Sequence, residues 1–299
     1  MKITYIILIV AAGLFVSCSS EDETPEPLTD LQLAIPDAQF EAKLISLGID
    51  SDNEINQRIL KADAEEVLSL NLYSQNANDK ISDLTGIEGF VNLKNLYAGR
   101  NNLVSIDLSA NTLLDSLSLE ANIISSIDVS NNTNLLWVDL KSNDITSISG
   151  LSEATQLRWL ALSFNLLEEF SIHNESLVNL LISDNLLTSF DVSGAVNLES
   201  ILIKTNQLPA IDLSSNIKLQ VLVSSDNKLE TLDLSNNINL RYLWSSSNLY
   251  SSLDVSSLEN LIDLRVTRNP NLFCIKILGG QNIPTVQISD YQELNTNCN

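Results

Sequence analysis

One frame recurs through most of this chain and leaves little freedom in how it can fold. From Leu93 onward the pattern L-x-x-L-x-L-x-x-N-x-L returns nine times, first as Leu93-Lys94-Asn95-Leu96-Tyr97-Ala98-Gly99-Arg100-Asn101-Asn102-Leu103. Its asparagines stand at 101, 122, 143, 165, 185, 206, 227, 248 and 269, so successive copies are 20 to 22 residues apart. A degenerate copy precedes them, with Val67, Leu70 and Leu72 in frame and an insertion through Asp79. A unit this short cannot bury its apolar residues alone. It must stack on its neighbours, which makes the chain a solenoid.

The frame predicts the shape of one coil. Apolar residues alternating through Leu96-Tyr97-Ala98 form a short strand with one buried face. Each coil adds one strand to a parallel sheet, about 4.8 Å from the last. The asparagine falls where the chain turns inward. Its amide both donates and accepts, so it can satisfy backbone groups of neighbouring coils that would otherwise be buried unpaired. The row is therefore read as structural. The second half of the coil repeats as Ile106-Asp107-Leu108-Ser109, Ile127-Asp128-Val129-Ser130, Phe190-Asp191-Val192-Ser193, Ile211-Asp212-Leu213-Ser214, Leu232-Asp233-Leu234-Ser235 and Leu253-Asp254-Val255-Ser256, with Ser149 and Ser171 breaking the row. Alternation sets the apolar pair inward and the Asp outward on an extended or irregular convex side. Stacked carboxylates could bind calcium. Neighbouring charges about 5 Å apart in water repel by only about 1 kcal/mol, however, and Asp and Ser close turns by bonding nearby backbone. The row is read as turn-forming.

The pattern resembles the leucine-rich-repeat family, specifically the short bacterial 21-residue class with an L-D-L-S-x-N tail. The resemblance covers about 180 residues, nine copies from Leu93 to Asn271. It implies a leucine-rich-repeat solenoid with a curved parallel β-sheet on the concave side, an irregular convex side and non-covalent recognition on the concave sheet. It names no ligand. Ala98, Ser224 and Ser245 occupy usual Leu positions, so the core should be thin at those coils.

The ends differ from the repeats. Lys2, the apolar run Ile3 to Val16 and the small residues before Cys18 form a signal peptide over residues 1–17. The apolar run is shorter than the roughly 20 residues of a membrane span. Phe15-Val16-Ser17-Cys18 resembles a bacterial lipobox, with Phe in place of the usual Leu. That resemblance implies cleavage before Cys18 and lipidation of its thiol. Ser19-Ser20-Glu21-Asp22-Glu23 is similar to the export signal of some Gram-negative surface lipoproteins. The expectation is a chain lipid-anchored in the outer membrane and exposed at the cell surface. Residues 18–33 read as an acidic tether, 34–66 as a helical N-terminal cap, 67–272 as repeats and 273–299 as a C-terminal cap. In the N-terminal cap, Pro36, then Phe40, Leu44, Ile45 and Leu47, predict an amphipathic helix ended by Gly48, and Asn56 to Glu66 suggests a second. Asp50, Asp52 and Glu54 alternate as at the start of a calcium loop. Ile55 stands where the loop needs Gly and Lys61 where it needs the closing Glu, so no metal site is assigned. Cys274 and Cys298 are the cysteines left beyond Cys18. In an exported protein a disulfide between them is the natural reading, with free buried thiols as the alternative. Such a loop is worth roughly 3 kcal/mol on the loop-entropy account.

Charge and chemistry narrow the function. With 38 Asp and Glu against 16 Lys and Arg, the net charge is −22. That argues against nucleic acid and anionic membrane surfaces and for a soluble monomer. The one histidine, His173, lies in the convex half of a coil. No zinc-ligand spacing and no phosphate-binding glycine loop stand out. No cofactor is expected, and the chain reads as a non-enzyme. The frame leaves the third, fifth, seventh, eighth and tenth positions exposed on the concave sheet. They carry Arg100, Lys141, Lys204, Lys228, Arg265 and Arg268 against Glu120, Asp139, Asp144, Asp184, Asp226 and Asp263, a near-neutral face on an acidic body. All three tryptophans, Trp137, Trp159 and Trp244, fall there with Tyr97, Phe164 and Tyr242. Clustered exposed aromatics predict a binding surface; packing against one another or over thin coils is the other reading. The expected partner is a protein, in adhesion or docking. The alternative is a glycan captured for a nutrient-uptake system.

Overall fold

The computed structural model describes residues 29–298; Cys18, the leader and most of the tether lie outside the described residues. Among the described residues the chain winds into a parallel solenoid. Each coil places a short strand in one sheet of eleven, running from Ser69–Asn71 through Asn95–Tyr97 and on to Thr285–Gln287. The strands pair in register, so Leu70, Leu96, Leu117, Val138, Leu160, Leu180, Ile201, Leu222, Leu243 and Leu264 form one inward row, and all are fully buried. The row is the fourth position of the frame.

The asparagine row behaves as its chemistry demands. Asn143 Nδ2 donates to Leu119 O at 2.9 Å and Leu140 O at 3.1 Å, while its Oδ1 accepts from Ile124 N at 3.1 Å. The residue just before each asparagine is left-handed, with φ between +55° and +61° at Arg100, Ala121, Ser142, Phe164, Asp184, Thr205, Asp226, Ser247 and Arg268. None is glycine, although a left-handed L-residue is disfavoured by roughly 1–2 kcal/mol. The turn is imposed by the ladder on each side of it, and the strain is shared by nine coils.

The convex side is extended. Its short strands form small parallel sheets, such as Ser126–Asp128 with Ser147–Ser149 and Glu169–Ser171 with Ser189–Asp191. Phe170 and Phe190 stack there with ring centroids 6.1 Å apart. The Asp side chains close turns: in each of six coils, at Asp107, Asp128, Asp191, Asp212, Asp233 and Asp254, Oδ1 accepts the N–H of the serine two residues on at 2.9 Å.

The two coils that carry Ser in place of Leu are not thin. Ser224 Oγ and Ser245 Oγ lie 2.8 Å apart, and Ser245 Oγ is 2.6 Å from the Tyr250 hydroxyl. Tyr250 takes the last Leu position of its coil and is fully buried, so one large side chain fills the space that two serines leave. Burial pushes its phenol above the usual range.

At the N-terminus, α1 (Ala38–Ser46) is capped by Asp37, whose Oδ1 accepts from Gln39 N and Phe40 N. Asp37 Oδ2 takes Ser82 N, Ser82 Oγ and Asp83 N, which ties the helix start to the first coils. Gly48, at φ +69°, follows the helix. The second expected helix is mostly not there. Arg58–Leu60 is a strand, antiparallel to Gln32–Ala34, and only Lys61–Glu65 turns helical as α2. Pairing across some 26 residues of chain overrides local propensity. At the other end, residues after Cys274 do not simply fold over the last coil. Thr285–Gln287 extends the large sheet and Glu293–Asn295 the convex one. Cys274 and Cys298 are disulfide-bonded, with Cα atoms 5.7 Å apart.

Candidate concave binding face

In each strand the fourth-position side chain points into the core, so the third and fifth point to the concave surface. Trp137 and Trp159 both hold third positions on neighbouring strands, directly paired in register. Both are half-buried. Phe164, five residues past Trp159, projects from the strained turn at the rim and is 57% exposed. Its backbone strain carries no functional signal, because eight other coils share it.

The remaining aromatics are not part of one cluster. Tyr97 lies two strands before Trp137, in a depression at the N-terminal end lined by Lys43, Leu47, Asn71, Tyr73 and Glu120. Tyr242 and Trp244 share a strand four sheet positions beyond Trp159, about 19 Å away at the usual strand spacing. Trp244 is half-buried, its Nε1 is buried without a partner, and the Arg265 guanidinium covers its ring at 4.3 Å. Arg241 lies over Tyr242 at 6.0 Å.

Three aliphatic residues join these ends. At the fifth position Leu181, Leu202 and Val223 stand on consecutive strands, paired Leu181 to Leu202, Leu202 to Val223 and Val223 to Trp244. Each is half-buried. With Trp137, Trp159, Val221 and Tyr242 at third positions, the concave sheet carries an apolar stripe along the solenoid axis. Reading the fifth position down the repeats would have found it, but leucine is too common in this chain for a leucine at one more position to stand out.

Polar groups frame the stripe. On one side the seventh positions hold Ser163, Ser183, Ser225, Ser246 and Thr267. Their hydroxyls link neighbouring coils: Ser163 Oγ accepts from Ser183 N, Ser225 Oγ from Ser246 N, and Thr267 Oγ1 donates to Ser246 Oγ. Ion pairs close both ends, Asp139 with Lys141 at 3.0 Å and Asp263 with Arg265 at 2.7 Å. These two carboxylates are not the exposed charges that the frame implies. Each is buried to 7% exposure, because the cation two residues on folds over it. A further depression, lined by Glu199, Lys218, Gln220, Arg241 and Ile262, runs beside the sheet at the second frame position. His173 is exposed on the convex half.

No family model matches the chain, and no curated protein matches it. Solved structures do. The functional domain of InlJ from Listeria monocytogenes is 26% identical with a TM-score of 0.60, over 84% of this chain and 62% of that one. The chain thus spans less than two thirds of that domain. Internalin C2 from Listeria monocytogenes is 21% identical with a TM-score of 0.56, over 84% of this chain and 99% of that one. A leucine-rich-repeat protein of Leptospira interrogans is 20% identical with a TM-score of 0.55, over 78% and 67%. The InlJ domain includes a cysteine ladder; here no cysteine lies between Cys18 and Cys274, and the ladders are of asparagine.

Proposed function

From the premise that this chain is a leucine-rich-repeat protein, we propose that it is a non-enzymatic cell-surface binding protein that recognises a protein partner through its concave sheet. The observation that carries this reading is the apolar stripe from the Trp137–Trp159 pair through Leu181, Leu202 and Val223 to Trp244. A contiguous apolar band left open to solvent on one surface marks an interaction site. Aromatic anchors with a polar rim around them are the usual anatomy of a protein interface. The adjacent tryptophans alone would also suit sugar stacking. The aliphatic middle of the stripe favours a protein, because Leu181, Leu202 and Val223 offer no flat face to a sugar ring.

The anchor belongs to the same reading: Cys18 carries lipid and holds the chain in the outer membrane, facing outward. Its support is the sequence Ser17-Cys18 followed by the acidic run Glu21-Asp22-Glu23. The mass of the native N-terminal peptide tests it, and an unlipidated start elsewhere ends it.

Probing protein and glycan arrays with the full chain separates the two ligand classes. Trp137→Ala with Trp159→Ala should weaken binding at least thirtyfold, about 2 kcal/mol. The rings are half-buried, so the double variant should also lose about 1 kcal/mol of stability per ring, yet remain folded. Leu202→Ala should weaken a protein partner about tenfold and leave a glycan untouched. Binding that survives all three changes rejects the concave face.

A further inference from the structure

The N-terminal cap holds a group of buried oxygens that the concave-face reading does not use. Glu41, on α1, is fully buried. Its Oε1 accepts from Asn56 N at 2.9 Å and Arg58 N at 3.1 Å. Its other oxygen, Oε2, is buried without a partner. Asp50, on the loop after α1, is 1% exposed; its carboxyl lies against that of Asp52, and no N–H or hydroxyl of the chain donates to its buried Oδ2. Asn56, at the end of the same loop, buries its Oδ1 unpartnered as well. Asp52 lies between them and ties the loop together, accepting from Glu54 N at 2.8 Å and from Asn56 Nδ2 at 2.9 Å. The groups are close neighbours: the charges of Asp52 and Glu41 both bear on Asp50.

All three orphan atoms are acceptors, and two belong to carboxylates. A buried carboxylate oxygen with nothing to bind is strongly unfavourable. One water brings two protons and no charge, so it satisfies two of the three and leaves the negative charge in place. A divalent cation satisfies all three and neutralises the charge together. Oxygen-only donors on a loop, drawn from carboxylate and amide groups with room for water, match calcium; magnesium demands a stricter octahedron and gives up its waters reluctantly.

We propose that Glu41 Oε2, Asp50 Oδ2 and Asn56 Oδ1 bind a calcium ion, completed by water, that staples α1 to the loop leading into the strand Arg58–Leu60. The loop fails as an EF-hand because Ile55 and Lys61 stand at two required positions. The missing closing carboxylate comes instead from Glu41 on the preceding helix. No three His, Cys, Asp or Glu side chains among the described residues form a ready-made metal centre; the site is two carboxylates and an amide, with Asp52 shaping the loop. The ion would stiffen the strand pair Gln32–Ala34 with Arg58–Leu60, next to the end of the solenoid where the open core needs cover.

The test is calorimetric titration of Ca2+ into the EDTA-stripped full chain at neutral pH, with thermal melts alongside. One site should appear, with Kd of roughly 10⁻⁴–10⁻³ M, the range of extracellular calcium modules. Saturating Ca2+ should raise the melting temperature by roughly 5 °C, and Mg2+ should do less. Asp50→Asn and Glu41→Gln should each weaken binding at least tenfold, while Asp212→Asn on the convex row changes nothing. Asp50→Asn removes a buried charge, so it should melt higher than the wild type without calcium. If Glu41→Gln fails to fold, Asp50→Asn decides alone. A wild-type chain with no saturable Ca2+ binding overturns the proposal. So does Ca2+ affinity unchanged in Asp50→Asn, which would move any binding elsewhere on the acidic surface.

Discussion

Two rows of asparagine run the length of this solenoid, and they are used differently. In the row at the end of each concave strand, both ends of the amide work. Asn143 donates to two carbonyls and accepts the Ile124 N–H; Asn122, Asn165, Asn185, Asn206 and Asn227 do the same in their coils. In the convex row only the donor works, except at Asn174, whose Oδ1 accepts from Ser176 N at 3.1 Å. Asn132 Nδ2 reaches Leu108 O at 3.0 Å and Asn111 O at 2.9 Å, but its Oδ1 is buried without a partner, as are those of Asn111, Asn216 and Asn237. The first row holds asparagine in all nine copies. The second is interrupted by Ala154, Ala195 and Leu258, and it resumes at Gln281, whose Nε2 donates to Val255 O and Leu258 O. A site that must both donate and accept admits only a carboxamide: Asp cannot donate, and Ser is too short to bridge three groups. A site that only donates, and strands its own oxygen, gains less and can be given up.

The largest effect should come from the two-ended row. Asn143→Ala leaves the Ile124 N–H unpaired in the interior and takes one of two asparagine donors from each of Leu119 O and Leu140 O, which keep Asn122 Nδ2 and Asn165 Nδ2. A buried unsatisfied group costs about 1–3 kcal/mol and each lost hydrogen bond adds to it, so the total is about 2–3 kcal/mol. Denaturant unfolding measures the loss, and hydrogen exchange should show the coils around residues 119–145 opening first, since coils depend on their neighbours. A loss under about 1 kcal/mol would break the comparison at its stronger side. Asn132→Ala is next. It gives up two donations but also removes an orphan acceptor, and the two partly offset, which leaves about 1 kcal/mol. If Asn132→Ala costs as much as Asn143→Ala, the stranded oxygen is not what distinguishes the rows.

The same contrast explains what could be read in advance. The concave asparagine row and the inward Leu row announce themselves because each position has one physical solution, repeated nine times. The convex asparagines were visible only as a family tail, because alanine or leucine can stand in for them. The Ser224–Ser245–Tyr250 network was invisible coil by coil: each residue looks like a departure from the frame until the three are brought together. Leu181, Leu202 and Val223 were hidden by the abundance of leucine. The frame puts Asp139 and Asp263 on the surface because it fixes the direction of a side chain but not the Lys141 or Arg265 that folds over it. The strand Arg58–Leu60 reads as helix in the sequence because its partner, Gln32–Ala34, overlaps the end of the acidic tether. Repetition makes a position legible; one-off tertiary contacts do not.

The smallest effect should belong to the convex Asp row, and pH sets its sign. At Asp212 the Ser214 hydroxyl, and then its backbone N–H, hold the carboxyl below its ordinary value of 3.8, although Asp191 on the neighbouring coil pushes the other way. A group more acidic in the folded chain than in the unfolded one favours folding at every pH above the ordinary value, and that contribution disappears as pH falls through the lower, folded value. Melts between pH 5 and pH 2 should therefore show stability falling with acid. The five exposed members Asp107, Asp128, Asp191, Asp212 and Asp233 share this direction. Asp212→Asn should leave the melting temperature at pH 7 nearly unchanged, because the amide oxygen still accepts the Ser214 N–H and water replaces the rest. It should remove one part of the acid slope. Replacing all five should flatten that slope visibly while the neutral-pH melt stays high, as in the coils where Ser149 and Ser171 already stand in place of Asp. A neutral-pH loss from Asp212→Asn as large as that from Asn132→Ala would mean that the exposed carboxylates hold the coils together as much as the buried amides do.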